Sequence, residues 1–431
     1  MAESKAAMTM VLRTVGRRPL EFVLRQSHNW KVMLVRRPLQ AMAWNFSEQY
    51  NSIYATALGA DPVQLGSLRS AGNAVGAIIS LPTGWLIDNY SLKKVFLLGT
   101  VLLAVSGVVY FFAPHWIYLY PAIIVVYMGE RITCTSCTVT CATELANEER
   151  ATGRGLCRMV SSIVTLVTPM LAAWIVMISG GINREGLRPL YAVQVAIYGL
   201  ILALLAGFLR DPATEKRSEE GRRVFADFAD VFKRSPDVVR VMFLIGLMEL
   251  PWSMAQPFIP LFAHQFKGAD EFVLGGIAVT ISIVPLLFSV PLGRLADRHG
   301  RKKLLFVIAP LAYAANLCLI FATGRNMLLV FGLFFGFNSI GMAIASAMAA
   351  EIVPKRQMGR WIGIVSLVRG FMSVPAPLFG GLIWDHIGPQ YVFFAVILID
   401  MAVRLPLLAS IRETLHLDVE EHGPLEWPRS R

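Results

Sequence analysis

The chain has 431 residues, of which 55% are hydrophobic and only 16% are charged, and its mean hydropathy is +0.56. This composition excludes an ordinary soluble domain and indicates a membrane protein. The net charge of +11 would suit a nucleic-acid partner, but the positive residues lie mostly in short loops between apolar segments, where they orient a membrane protein. We therefore expect membrane lipid, and no nucleic acid, around the chain.

The first 30 residues form a basic segment. They contain Lys5, Arg13, Arg17, Arg18 and Arg25 but no uninterrupted apolar core, so they are unlike a cleavable signal peptide. We predict that residues 1–30 form a basic N-terminal segment in the cytoplasm.

Twelve apolar segments, separated by turn residues, follow along the chain. A helix needs ~20 apolar residues to cross the ~30 Å hydrocarbon core of a bilayer, and these segments have that length. The pattern predicts an all-α membrane protein. The twelve transmembrane helices are expected near residues 32–57, 63–87, 94–114, 116–144, 156–180, 189–209, 241–265, 272–296, 303–323, 327–352, 360–384 and 390–410.

Lys and Arg residues are concentrated in alternate connections between these segments, which indicates the cytoplasmic side of the membrane. The opposite connections are short and poor in positive charge, apart from residues 183–188. We therefore predict that both termini are cytoplasmic, in a plasma membrane or a bacterial inner membrane. The basic connections contain Lys93, Lys94, Arg150, Arg154, Lys216, Arg217, Arg222, Arg223, Lys233, Arg234, Arg298, Arg301, Lys302, Lys303, Lys355, Arg356 and Arg360.

The chain contains an internal repeat. A shift of 209 residues aligns Gly59-Ala60-Asp61 with Gly268-Ala269-Asp270, and 13 of the 36 positions from 59 to 94 are identical without a gap. Because each copy holds an even number of segments, both copies run in the same direction. The sequence therefore predicts two six-helix bundles that arose by duplication.

The polar stretch at residues 210–238 divides the twelve segments six and six. The predicted domains are the N-terminal segment at 1–30, the first bundle at 31–209, a cytoplasmic central loop at 210–238, the second bundle at 239–411 and a cytoplasmic tail at 412–431.

One segment, "GRLADRHGRKKLL" at residues 293–305, follows the eighth predicted helix. It resembles the loop between the second and third helices of a half in the major facilitator superfamily, whose pattern is G-x-L-x-D-R-x-G-R-R/K. The first-half copy, "GWLIDNYSLKK" at 84–94, lacks the arginine after the aspartate and the following glycine. The predicted gate motif consists of Gly84, Asp88, Gly293, Asp297, Arg298, Gly300, Arg301 and Lys302.

These residue types have a physical role in such a loop. Gly293 allows a helix end to approach its neighbour closely, and Asp297 can lie near the N-terminus of an adjacent helix. We expect the loop to hold the cytoplasmic ends of two helices together in one conformation and to release them in the other.

The resemblance implies the fold and mechanism of a secondary transporter, in which two bundles rock about a central site near the membrane midplane. It also implies that the first and fourth helices of each half line the cavity. The cargo does not follow from the fold. We expect a small polar or organic anionic solute, a coupling proton, and a monomeric protein without a cofactor.

Ionisable side chains inside predicted membrane helices are candidates for transport because they are costly to bury there. We predict that the pathway residues are Glu48, Glu130, Arg131, Glu249 and Arg369. Arg131 and Arg369 would contact an anionic group of the solute, and one of the three glutamates would carry the proton. Structural ion pairs between helices are the alternative. For Arg69, Asp400 and Arg404, which lie in other helices, we favour that alternative.

A second set of charged residues lies at the predicted cytoplasmic ends of the fourth and tenth helices. Glu144 and Glu351 occupy matching places there and are followed by Arg154 and Arg360. We predict that these residues are partners in a cytoplasmic gate, with solvation at the membrane interface as the alternative.

Three cysteines, Cys134, Cys137 and Cys141, share one face of the fourth helix with Glu130 at 100° per residue. Three thiols along one helix cannot close around a tetrahedral ion without ligands from another segment. We therefore predict no metal site and favour small-residue packing, with a soft-metal transporter as the minor alternative.

The sequence also bears on functions other than solute transport. The chain lacks a GxxxxGK[ST] loop, a serine nucleophile elbow and an HExxH sequence, so we expect neither ATP-driven transport nor an enzyme. A multidrug-type proton antiporter is the main alternative, although the fifth helix keeps Pro169 without the glycines of drug antiporters. A transporter-like receptor or assembly protein is the alternative from another class.

Overall fold

The computed structural model describes residues 22–146, 149–211, 236–351, 358–411 and residue 413. The elements over these residues are helices in the order of the predicted segments, so the all-α prediction is confirmed. They are α1 (His28–Ser47), α2 (Asn51–Ala57), α3 (Pro62–Asn89), α4 (Leu92–Phe112), α5 (Leu119–Glu144), α6 (Arg150–Ile178), α7 (Arg184–Phe208), α8 (Pro236–Ala255), α9 (Phe258–Lys267), α10 (Glu271–His299), α11 (Arg301–Ile320), α12 (Arg325–Glu351), α13 (Met358–Ser373), α14 (Ala376–His386), α15 (Pro389–Ile399) and α16 (Leu405–Ser410).

Nine helical segments within the described ranges are long and apolar enough to cross a membrane. The remaining long segments are the first, second and seventh in chain order, so the number of twelve spans is not confirmed. Charged side chains interrupt the first of these, which carries Arg36, Arg37 and Glu48. Large apolar side chains such as Trp85 and Phe371 are exposed, as expected for contact with lipid. The chain is a multi-pass membrane protein.

The internal repeat recurs as repeated local structure at the starts of α3 and α10. Asp61 caps α3 by accepting from the backbone N–H of Gln64 at 2.7 Å, and Asp270 caps α10 by accepting from Val273 N–H at 2.8 Å. Two residues before each aspartate a glycine has positive φ, 93° in the first copy and 66° in the second. The conserved spacing therefore specifies the same left-handed turn and N-cap twice.

The first helix of each half is interrupted at matching places. A 3₁₀ turn at Glu48–Tyr50 separates α1 from α2, and residues 256–257 separate α8 from α9. Pro257 cannot supply a backbone donor to a continuous helix, which explains the second break. The breaks matter for the site because they bring Glu48 and Gln256 opposite each other.

Helices of each half pack mainly on one another. In the first half, α1 packs on α6 and α7, α4 packs on α5 and α7, and α3 packs on α5. In the second half, α12 packs on α10 and α11, and α8 packs on α13. The halves meet where α3 contacts α13 and α14 and where α6 contacts α10. The exact domain boundaries stay predictions, since residues 1–21, 212–235 and 414–431 lie outside the described residues.

The two halves share a core at one end only. At the end that carries Asp61 and Asp270, called the closed end below, one apolar cluster contains Tyr50 from the first half and Phe258 and Trp384 from the second. At the other end, called the basic end, the halves have separate clusters. Among the described residues, apolar packing therefore joins the halves at the closed end and not at the basic end.

The space around the glycines differs between the two ends in the same way. A Cβ on Gly275 would lie 2.9 Å from the carbonyl oxygen of Pro169 in the other half, whereas a Cβ on Gly84 or Gly293 would meet nothing within 4 Å. The close helix approach at Gly293 stays a prediction, and in this conformation a Cβ there has no neighbour within 4 Å.

Candidate functional site

Glu130 and Arg131 are adjacent on α5 but serve different sides of the helix, because successive residues point about 100° apart. Glu130 Oε2 accepts a hydrogen bond from Gln40 Nε2 of α1 at 2.8 Å, inside the first half. Arg131 lies against α3, where a Cβ on Gly76 would be 3.3 Å from its Nε. The two charges are therefore not a pair with each other.

The surroundings of Glu130 form a buried polar network. Arg36 is 2% exposed, its guanidinium lies 4.5 Å from the ring centre of Phe96, and it donates to the side-chain oxygen of Gln40. Gln40 Nε2 also lies 3.2 Å from Thr133 Oγ1. Nε and Nη1 of Arg36 are buried without a partner in the protein. Gln40 thus bridges Arg36 and Glu130, so neither buried charge is isolated.

Glu249 of α8 lies within electrostatic range of Arg369 and Arg131. These three residues are called the central charged group below. Arg369 of α13 also donates from Nη2 to Ser346 Oγ at 2.8 Å, and its Nε is buried without a partner. The group joins both halves and carries a net positive charge.

Glu48 lies at the break between α1 and α2 and has partners in both halves. Its Oε1 accepts from Arg69 Nη2 at 3.1 Å and from Gln256 Nε2 at 2.7 Å, and its Oε2 accepts from Asn51 Nδ2 at 3.2 Å. The adjoining cavity of about 30 Å³, also lined by Tyr110, has room for about two water molecules. Arg69 thus forms an ion pair between helices, as favoured for it, and its partner is a candidate pathway carboxylate.

Further hydrogen bonds cross between the halves beside this carboxylate. Asn73 of α3 donates to Ser253 Oγ at 3.1 Å and to the carbonyl of Ser373 at 2.8 Å. Ser253 Oγ also donates to that carbonyl at 3.1 Å. Together with the Glu48–Gln256 bond they hold the closed end of the cavity.

The second-half gate motif lies at the junction of α10 and α11. Asp297 pairs with Arg301 at 3.5 Å, and the carboxylate at the N-terminus of α11 is that of Glu413. Glu413 accepts from the backbone N–H of Arg301 at 3.0 Å and of Lys302 at 3.1 Å. The side chain of Asp88 lies outside the described part of the structure.

A carboxylate caps the equivalent helix in both halves. In the first half Asp211 Oδ1 accepts from the backbone N–H of Lys93 at 3.1 Å, and the shift of 209 residues places Lys93 on Lys302. Ser91 adds a second acceptor for the first turn of α4, whereas Gly300, at the corresponding position before α11, has no side chain to do so. A carboxylate that follows the last helix of each half therefore lies at the N-terminus of α4 or α11, where its charge is favourable.

The predicted gate partners do not form an ion pair where both side chains are described. Glu144 accepts from Asn29 Nδ2 at 2.6 Å, and no salt bridge joins it to Arg154, which is exposed. The side chains of Glu351 and Arg360 lie outside the described residues. The gate role of these four residues stays a prediction.

The cysteine face of α5 is divided by packing. Cys134 is exposed, whereas Cys137 and Cys141 are buried beside Cys157 of α6 in one apolar cluster. Arg37 Nη1 lies 3.9 Å from Cys137 Sγ. Among the residues that the structure describes, no group of three or more possible ligands could hold a metal ion.

Three polar residues of these networks were not predicted: Arg36, Gln40 and Gln256. Arg36 and Gln40 are four residues apart inside the first predicted helix, so they share a face. An arginine in a predicted membrane helix is itself a signal, which identified Arg69 and would have identified Arg36 in the same way. Gln256 is uncharged, and no comparable signal marks it.

Comparison with known proteins agrees with the fold. The Major Facilitator Superfamily matches the chain twice, over residues 39–250 and 241–414. The solved structure of the nucleoside transporter NupG covers 89% of this chain and 99% of its own, with a TM-score of 0.73 and 13% identity. The human organic anion transporter MFSD10 covers 88% and 99%, with a TM-score of 0.61 and 15% identity.

Similarity to curated proteins is weaker and partial. The class B tetracycline resistance protein of Escherichia coli is 24% identical over 182 residues, which are 42% of this chain and 45% of that protein. The multidrug resistance protein MdtG of Proteus mirabilis is 31% identical over 162 residues, 36% of this chain and 40% of that protein. The chain thus spans less than half the length of these relatives.

Proposed function

Because the chain belongs to the Major Facilitator Superfamily, we propose that it is a secondary transporter that moves a small organic solute with an anionic group by alternating access. A coupling proton drives the movement. The solute binds between the halves, within reach of Arg131, Arg369 and Glu249. We expect a monomer in the cell membrane, with the basic end and both termini in the cytoplasm, as the Lys and Arg distribution supports.

The observation that carries the proposal is the central group of two arginines and one glutamate. Arg131 and Arg369 both act on Glu249, and they belong to different halves. Guanidinium groups bind carboxylates and phosphates through charge-assisted hydrogen bonds. A solute anion between them would draw the halves together around itself, which is what alternating access requires.

Proton coupling is best supported at Glu48. As a carboxylate it accepts hydrogen bonds from Arg69 in its own half and from Gln256 in the other. A proton on Glu48 removes the negative charge that strengthens both contacts, so the closed end loses a bond between the halves. Proton uptake thereby favours opening of that end. Glu130 is the second candidate, since its partners lie within the first half alone.

The test is solute counterflow in proteoliposomes with an imposed pH gradient. A thermal-shift screen of small organic acids on the purified protein would supply the labelled solute. We expect Glu48→Gln to retain counterflow, which needs no net proton movement, and to lose uphill uptake driven by the gradient. If Glu48→Gln, Glu130→Gln and Glu249→Gln all remain fully coupled, the assignment of the proton to these carboxylates is wrong.

The same assay tests the solute site. Arg131→Gln should weaken binding of an organic acid about 10-fold or more, since hydrogen bonds to charged groups contribute about 1.5–3 kcal/mol. Binding without any exchange would instead identify a solute receptor.

Drug export is a second candidate, supported by the tetracycline and multidrug resistance relatives. Proton-driven uptake of tetracycline into inside-out vesicles would support it. Uptake of the organic acid alone, blocked by Arg131→Gln, would support the solute transporter.

A further inference from the structure

The second half contains a polar pocket that the proposed solute site does not use. It lies between α8, α11, α12, α15 and the π-helical turn Asp400–Arg404. Its polar side chains are Tyr313, Asn316, Asn338, Asp400 and Arg404. Polar groups of this kind inside a membrane protein are costly unless they have a use.

Asp400 and Arg404 form a buried ion pair, with 8% and 6% of their surfaces exposed. Arg404 donates to both carboxylate oxygens, from Nη2 to Oδ2 at 2.6 Å and from Nε to Oδ1. The hydroxyl of Tyr313 also donates to Oδ2. The ionised form of Asp400 is thus held by three donors.

The side-chain amide of Asn316 indicates that the pocket holds a further hydrogen-bond donor, such as water. Asn316 is 3% exposed, its Nδ2 donates to the carbonyl of Ala312 at 2.8 Å, and its Oδ1 is buried without a partner. A buried acceptor that faces a cavity needs a donor such as water. The cavity of about 40 Å³ has room for about three water molecules.

The backbone favours the same interpretation. A single π-helical turn leaves carbonyl groups outside the regular ladder and is frequent at functional sites. Here the turn begins at Asp400 and ends at Arg404, so both members of the ion pair lie on it. The pocket combines a carboxylate, displaced backbone and space for water.

The repeat relates this pocket to the one around Glu48. The shift of 209 residues places Asp400 on Tyr191, which lines the Glu48 cavity. Each half therefore contains a carboxylate–arginine pair beside a tyrosine: Glu48 and Arg69 in the first, Asp400 and Arg404 in the second.

We propose that Asp400 is a second proton-binding site, which exchanges its proton with water held by Asn316. This inference rests on the proposed proton-coupled transport. The proton passes from water to the Asp400 carboxylate and the Arg404 ion pair opens. The other titratable group facing Asp400 is Tyr313 on α11, while α8 and α12 contribute Met248, Pro251, Trp252, Phe335 and Asn338 to the pocket.

The consequence for transport follows from α8. One side of this helix lines the pocket through Met248 and Trp252, and Ser253 bonds the Ser373 carbonyl and the first half. A proton on Asp400 therefore changes the packing of the helix that holds the closed end, and both halves bind a proton in each cycle.

The experiment uses infrared difference spectroscopy of the purified full-length protein between two pH values, which reports protonated carboxyl groups without any solute. The test variant is Asp400→Asn with Arg404→Gln, which avoids leaving one buried charge unpaired. We expect it to lose one protonated-carboxyl band that Glu48→Gln retains. In proteoliposomes its proton-to-solute ratio should be half that of the wild type.

The outcomes separate the two proposals. If the wild type and the double variant have the same carboxyl bands, the second proton site does not exist, whatever the transport assay gives. If the band is lost but wild-type transport ignores the pH gradient, the proposed coupling fails and the proton site stands. Should the double variant fail to fold, Tyr313→Phe must change the frequency of the Asp400 band, because its hydroxyl is hydrogen-bonded to that carboxyl group; an unchanged set of bands overturns the proposal.

Discussion

Replacing Gln256 with leucine should open the closed end of the cavity. Gln256 Nε2 lies 2.7 Å from Glu48 Oε1 and joins two residues 208 positions apart. The substitution introduces an apolar side chain of similar volume, so the packing of the break between α8 and α9 changes little. What is lost is one hydrogen bond to a carboxylate that spans the two halves.

The size of the effect follows from the kind of bond. Hydrogen bonds to charged groups contribute about 1.5–3 kcal/mol, and those between membrane helices about 1–2 kcal/mol. A value of about 2 kcal/mol corresponds to roughly a 30-fold change in an equilibrium constant. The equilibrium between the present conformation and one open at the closed end should shift by that factor.

Electron–electron distance measurements between spin labels at positions 61 and 387, both exposed at the closed end, would report the shift. Gln49→Leu is the matched control, because Gln49 Nε2 bonds the carbonyl of Pro169 in its own half at 3.3 Å. Gln256→Leu should enlarge the long-distance population and Gln49→Leu should not. Equal populations in both variants would refute the assignment of Gln256 as a link between the halves.

Two further predictions concern the solute site and the basic end. Gly76→Val should displace Arg131 and weaken the binding of an organic acid about 10-fold, measured by thermal shift. Gly199→Val is the control, because a side chain there meets nothing within 4 Å, and it should not change the affinity. Equal affinities in the two variants would mean that the contact of α3 with Arg131 is unimportant. Glu413→Gln should cost about 1 kcal/mol and lower the Tm, because a charged cap is lost. Asp297→Asn should leave the Tm unchanged, because the Asp297 side chain is 65% exposed.

Much of the architecture was predictable because it depends on local pattern. The lengths of the apolar segments predicted the order of the helices, and the repeat predicted that Asp61 and Asp270 would have equivalent roles. These features need only the residues within a few positions of each other. The span count was less secure, since the first segment carries Arg36 and Arg37 within its length.

The partners of the charged residues were not predictable in the same way. Glu48 meets Gln256 and Asp400 meets Tyr313 only after helices distant in sequence have packed. The carboxylate at the N-terminus of α11 is that of Glu413, more than a hundred residues away in the chain. A motif identifies its residue types but does not fix which acceptor reaches a helix end.

The separation of Glu130 from Arg131 has a mechanical consequence. Glu130 and its partner Gln40 belong to the same half, so a rigid rotation of the halves leaves their contact unchanged. Arg131 acts on Glu249 of the other half, so the same rotation changes its surroundings. Arg131 can therefore sense both the solute and the relative position of the halves, whereas the contact of Glu130 with Gln40 does not depend on that position. This difference makes Arg131 the better candidate for linking solute binding to conformational change.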